Sequence, residues 1–130
     1  MTGHKYNKFT FQINERDQGH WWENLIAALT EKNVKPLSFL TREVMEYAES
    51  FDEAVKRLST AKLIAPAYFI VGGVKQDEGV VLTRNQTHLI DKWSLDSSSS
   101  GIEKWYLLET NYDNWVFYYV IIQINYFFSY

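Results

Sequence analysis

The order of residue patterns along these 130 residues predicts an α+β fold in which helices are followed by an antiparallel meander. Two observations lead there. Before Pro66, three segments repeat apolar residues at helical spacing; after it, the pattern changes to short apolar runs punctuated by glycine and polar loops. The chain is long enough for one domain, and 46% apolar with 22% charged residues is a globular balance.

The elements follow in order. Phe9-Thr10-Phe11-Gln12-Ile13 alternates apolar and polar residues, the period of a strand with one buried face, and Asn14 to Gly19 reads as a charged turn. Trp21 to Leu29 is predicted helical, with Trp22, Leu25, Ile26 and Leu29 on one stripe. A second helix starts near Pro36 and carries Leu37, Leu40, Val44 and Tyr47. A third starts at Ser50, where Ser50-Phe51-Asp52-Glu53 has capping-box spacing, and buries Phe51, Ala54, Val55 and Leu58. Ala67 to Val71 is an apolar run ended by Gly72-Gly73, and Gly79 to Thr83 is its hairpin partner across a polar loop at Lys75–Glu78. His88–Leu95 and Lys104–Thr110 are two more expected strands flanking the flexible loop Ser97–Gly101.

The final segment is unusual. No charged residue occurs from Asn114 to Tyr130, and Val116 to Ile122 is entirely apolar or aromatic. Gln123 and Asn125 interrupt it too early for a membrane-spanning helix of about 20 residues. The leading expectation is a segment outside the fold that aggregates when exposed; a buried last strand and a membrane-interface segment are the alternatives.

Composition removes several function classes. With 13 Lys and Arg against 16 Asp and Glu, a net charge of −3, no basic field points to nucleic acid. Cysteine is absent, so the chain has no disulfide, no thiolate metal ligand and no thiol nucleophile. Met1–Lys8 lacks the apolar core of a signal peptide, so no secretion signal is expected in this stretch. His4, His20 and His88 are too scattered for a metal motif, and no metal or cofactor is expected. Gly72-Gly73 lacks the following Lys-Ser/Thr and helix start of a phosphate loop and reads as a hairpin turn. Asn85-Gln86-Thr87 is a glycosylation acceptor triplet, with meaning only in a secretory compartment. Glu109-Thr110-Asn111-Tyr112-Asp113 gathers polar groups at an expected strand end; it is either a functional cluster on a rigid support or a polar turn, and chemistry alone favours the turn.

Taken together, Asn14-Glu15-Arg16-Asp17, Gly19 with Trp21-Trp22-Glu23-Asn24, Pro66 to Gly73, Glu78 to Arg84, and Glu109 to Trp115 form an ordered series. This series resembles the β-subunit region of the N-acylethanolamine-hydrolyzing acid amidases. It is similar, less closely, to the acid ceramidases, where Phe39-Leu40-Thr41-Arg42 and Ile64 to Phe69 also fit. The resemblance runs from about Thr2 to Trp115, which sets expected boundaries of a partial amidase domain at 1–115 and a divergent aromatic tail at 116–130.

The resemblance implies part of an N-terminal-nucleophile hydrolase αββα sandwich, made as a lysosomal precursor that cleaves itself into α and β subunits. It implies hydrolysis of a fatty acyl amide by an N-terminal cysteine thiolate through an acyl-enzyme. Two residues carry over: Asn111, as a side-chain donor to the tetrahedral oxyanion, and Glu15, at the active site and implicated in self-cleavage and oxyanion positioning. The implied partners are the acyl amide substrate, an α-subunit with the remaining β-subunit segments, and a membrane surface met by Trp21 and Trp22.

The nucleophilic cysteine itself precedes the region where Met1 falls in the resemblance, and the match stops at Trp115, so the chain is expected to be a fragment or truncated isoform, inactive alone. Thr2 falls in a connecting segment of the family and is not counted as a replacement nucleophile. A ceramide amidase fragment and a catalytically inactive lipid-binding or interaction isoform are the competing readings.

Overall fold

A computed structural model of the chain describes residues 1–16, 34–95, 106–110 and 113. Its centre is a five-stranded antiparallel sheet in the order β1-β2-β3-β4-β5, formed by Thr2–Lys5, Phe9–Glu15, Ala67–Gly73, Gly79–Arg84 and Leu89–Ser94. Between β2 and β3 the described residues form two helices, α1 (Leu37–Tyr47) and α2 (Phe51–Thr60). The α+β expectation therefore holds, with one refinement: a hairpin precedes the helices and joins the later meander edge to edge.

Alternation along the strands divides the sheet into two faces. Phe9 and Phe11 of β2, Ala67, Phe69 and Val71 of β3, and Val80 and Leu82 of β4 bury themselves with Leu40 and Val44 of α1 and Ala54, Val55 and Leu58 of α2. This is the core, and its largest members are essentially inaccessible. The opposite face carries Tyr68, Val81 and Thr83, which are buried outside that core. Register aligns Asn14, Tyr68, Thr83 and Asp91 in one row across β2 to β5 on this second face.

The helix ends are tied down by specific chemistry. Ser50 Oγ accepts from Glu53 N at 3.2 Å, as the capping-box spacing requires, while the Glu53 carboxylate accepts from Glu49 N, one residue earlier than a symmetric box. At the end of α1, Lys5 Nζ from β1 donates to Ala48 O at 2.7 Å and Glu46 O at 3.2 Å, placing a cation on unpaired carbonyls. At the end of α2, the fully buried Arg84 of β4 donates to Leu58 O and Ala61 O, and its Nε donates to His88 O at 3.1 Å. Burial pulls the Arg84 guanidinium down to about 10, yet it remains a cation at neutral pH.

Several expectations need correction. β1 carries no strand signal of its own: Thr2-Gly3-His4-Lys5 has almost no apolar content, and pairing with Phe9–Gln12 makes it a strand. The turn expected from Asn14 is not formed at Asn14 and Glu15, which continue β2 against Tyr68 and Ala67. Gly72 and Gly73 lie inside β3 rather than in the turn. A side chain on Gly73 would collide with Glu78, whose carboxylate accepts from Val74 N and Lys75 N and closes the β3–β4 loop. Tyr47, placed on the inner stripe of α1 by spacing, is exposed, and Phe51 is only half-buried. The strand expected over Lys104–Thr110 is not formed in its described part, Tyr106–Thr110. The helix expected at Trp21–Leu29, the loop Ser97–Gly101 and the aromatic tail lie outside the described residues.

Candidate active site

At one end of the sheet the residue after β2, the start of β3 and Asp113 meet. Arg16 directly follows β2, and its Nε and Nη2 donate to Asp113 Oδ1 and Oδ2 at 2.8 and 2.7 Å. Tyr68, opposite Asn14 in register, donates its hydroxyl to Asp113 Oδ1 at 2.6 Å. Arg16, Tyr68 and Asp113 are all buried; the Arg16 and Asp113 side chains are 7% and 3% exposed. A bidentate guanidinium–carboxylate fork fixes direction as well as distance. Removing either side chain would deprive the other, a buried charge, of this fork.

The electrostatics follow from the same contacts. The Asp113 hydrogen bond holds the Arg16 guanidinium above its ordinary value against the opposing effect of burial. Burial first, and the hydrogen bond to Asp113 second, push the Tyr68 phenol well above its ordinary range, so it stays protonated and donating. Glu109, four residues before Asp113, is raised to about 7 by burial and then by the negative charge of Asp113, with the Thr110 backbone acting in the opposite sense. Its Oε1 is buried without a hydrogen-bond partner among the described residues.

Among the residues expected at a site, Glu15 ends β2 with its backbone paired to Ala67; what is described of it is the backbone. Asn111, Trp21 and Trp22 lie outside the described residues. Thr2 sits in β1 opposite Gln12, four residues or about 13 Å of strand from Arg16.

Asn85 occupies the β4–β5 turn. Its Oδ1 accepts from Thr87 N at 2.9 Å and His88 N at 2.7 Å, an Asx turn, and its Nδ2 contacts the His88 ring. Thr87 and His88 are exposed there. Among the described residues no three His, Cys, Asp or Glu side chains converge as a metal site, and no helix is long and apolar enough to cross a membrane.

Sequence reasoning did not single out Arg16, Tyr68 or Asp113. Each lay inside a quoted motif, and opposite charges in two motifs were the available signal, but 97 residues separate Arg16 from Asp113. Chemically the trio is a holding device. The guanidinium is engaged with a carboxylate and the phenol donates to that same carboxylate, so neither is arranged as a base or a nucleophile.

No protein-family model matches the chain. It is 50% identical over 114 residues to the N-acylethanolamine-hydrolyzing acid amidase of Oryctolagus cuniculus, covering 88% of this chain and 31% of that protein. It is 39% identical over 117 residues to the acid ceramidase of Homo sapiens, covering 88% of this chain and 29% of the relative. Its fold superposes on the solved structure of the Caenorhabditis elegans N-acylethanolamine-hydrolyzing acid amidase ortholog with a TM-score of 0.71 at 34% identity, over 88% of this chain and 48% of that one. The chain spans about a third of the length of these curated relatives.

Proposed function

From its kinship with the N-acylethanolamine-hydrolyzing acid amidases and acid ceramidases, we propose that this chain forms the oxyanion-binding side of a fatty acyl amide hydrolase of the N-terminal-nucleophile type. The substrate class is an N-acylethanolamine, and the products are a fatty acid and ethanolamine. A thiolate attacks the amide carbonyl, and the carbonyl oxygen takes up the electron pair. The α-amine of the nucleophilic residue, having taken the thiol proton, hands it to the leaving nitrogen, and collapse expels the amine and leaves an acyl-enzyme, which water hydrolyses. The 130 residues contain no cysteine, so that thiolate must come from outside them.

Asn111 donates its side-chain amide to the tetrahedral oxyanion, and Glu15 supports it from the end of β2. The observation that carries this reading is the Arg16–Asp113 pair. It ties the residue after Glu15 to the residue two past Asn111, joining the two segments from which the acyl-transfer residues are drawn. A preorganised neutral donor of this kind contributes about 3 kcal/mol to the barrier difference.

In the same proposal the enzyme works in the lysosome with an α-subunit and further β-subunit segments. Trp21 and Trp22 face the lipid surface, residues 116–130 stand apart from the 1–115 domain, and Asn85 is a glycosylation acceptor on an accessible turn. A ceramide is the alternative substrate, favoured by the 39% identity to acid ceramidase. The absence of cysteine favours, as a second reading, a lipid-binding or interaction role without catalysis.

The test is a chimera in which residues 2–115 replace the corresponding part of the Oryctolagus cuniculus relative. Asn111→Ala there should lower kcat on an N-acylethanolamine about 100-fold or more with little change in KM. Unchanged kcat would refute the reading. Trp21→Ala with Trp22→Ala should weaken binding to anionic vesicles without altering turnover of a soluble amide; unchanged vesicle binding would remove the membrane role.

A further inference from the structure

We propose that the cleft between β1 and α1 binds a free alkyl carboxylate, a fatty acid in its ionised form, with the chain over Phe11 and Met45 and the head on Arg42. The site lies on the helix-facing side of the sheet, away from the Arg16–Asp113–Tyr68 cluster, and owes nothing to the catalytic reading above.

The cleft exists because the edge strand brings no apolar side chain inward. Register sets Gly3 opposite Phe11 and Lys5 opposite Phe9, so these two residues hold the inward positions of β1. Gly3 has no side chain, and Lys5 extends to Glu46 O and Ala48 O at the end of α1. The core therefore ends at Phe11 and Met45, beside an open volume of about 420 Å³ that Gly3, Thr41, Phe39 and Arg42 also line. Small-ligand sites have this size and this make-up, an apolar lining with a few polar groups that fix orientation. A Cβ on Gly3 would meet the Phe11 ring at 2.6 Å and Met45 Sδ at 3.0 Å, so glycine is what lets β1 form this wall. The Met45 thioether adapts its shape to an alkyl chain.

Charge decides the head group. Phe39 and Arg42 separate this cleft from a second one of about 440 Å³ bounded by Val34, Pro36 and Tyr47. Phe39 is 69% exposed, leaving an aromatic face in water where an alkyl chain would cover it. The neighbouring cations are engaged: Lys5 and Lys8 with Glu49, Lys35 and Arg57 with Glu43. Arg42 is exposed and, among the described residues, has no ion-pair or hydrogen-bond partner. Its planar guanidinium matches a carboxylate with two parallel hydrogen bonds. A bilayer fits less well, because Glu43 and Glu46 flank Arg42 on α1 and repel an anionic surface, whereas a single carboxylate needs only the one guanidinium.

The experiment titrates decanoate and decanol, which share a chain and differ in charge, into the 130-residue chain, with binding read by calorimetry and by amide NMR shifts. We expect saturable decanoate binding with shifts concentrated at Gly3, Thr41 and Met45. Arg42→Gln should weaken decanoate about 5- to 10-fold and leave decanol within about twofold. Phe39→Ala should weaken both about threefold, because it removes chain contact without touching the head group. Decanoate affinity unchanged in Arg42→Gln, equal weakening of decanoate and decanol in that variant, or shifts outside β1, Phe11 and α1 overturns the proposal. Arg42-dependent binding to phosphatidylglycerol vesicles without saturable decanoate binding also overturns it, by making the face a lipid-surface contact. Both substituted side chains are exposed, and circular dichroism checks that each variant keeps its fold. Arg42→Lys, which keeps the charge and loses the fork, should fall between the parent and Arg42→Gln, and it decides the matter if Arg42→Gln fails to fold.

Discussion

Arg84 offers the most direct check on how the sheet end and the helix layer are joined. It is fully buried and donates to Leu58 O and Ala61 O at the end of α2 and to His88 O in the β4–β5 turn. Two of these carbonyls belong to the group that a helix C-terminus leaves without internal partners. Arg84→Met keeps much of the volume and deletes all three donors. A hydrogen bond from a charged donor contributes about 1.5–3 kcal/mol, so three sum to roughly 4–9 kcal/mol. Desolvation of the guanidinium, visible in its lowering to about 10, offsets part of that sum. The expected net loss is about 2–4 kcal/mol, in the range for breaking a buried charged contact. Urea unfolding of the 130-residue chain, followed by tryptophan fluorescence, measures it as a lower midpoint at unchanged slope. Arg84→Lys, whose single ammonium does not span the three acceptors, should lose about half as much. A Met variant within about 0.5 kcal/mol of the parent would refute this account of the anchor.

Glu109 should make the fold less stable as pH rises. Its carboxyl moves from an ordinary 4.5 to about 7 in the folded chain, so between these values the folded state holds a proton that the unfolded state has lost. Its contribution is fully present below about pH 4.5 and lost as pH rises through about 7. Glu109→Gln should raise the melting temperature at pH 8 and flatten the decline between pH 5 and 8; an unchanged slope would contradict this. Ser50→Ala should cost about 1 kcal/mol in urea unfolding through loss of the α2 cap, and no loss would contradict the cap's role. Deleting residues 116–130, part of the run without a charged residue, should raise the soluble yield of the chain; an unchanged yield would count against the tail as the source of aggregation.

The elements legible in the sequence are those whose burial alternates or repeats strongly. Phe9, Phe11 and Ile13 mark β2; Leu40 and Val44 mark α1; Ala54, Val55 and Leu58 mark α2. The Ser50 cap was legible because it depends on residues three apart. β1 was not, since its strand state comes from pairing with β2 rather than from its own side chains. The extension of β2 through Asn14 and Glu15 was hidden because polar residues that close a turn in isolation here face Tyr68 and Ala67. At the site, resemblance pointed to Glu15 and Asn111, while the cluster that links their neighbours had no local signature. Arg16, Tyr68 and Asp113 are separated by 45 to 97 residues, and their burial is a property of the assembled sheet end.

Fatty-acid release from an N-acylethanolamine by the purified 130-residue chain, compared with the chimera that supplies a thiolate, tests the central claim most directly. The account predicts no release above the uncatalysed background from the chain alone and turnover by the chimera that is lost in Asn111→Ala. Release by the chain without any added protein would contradict it.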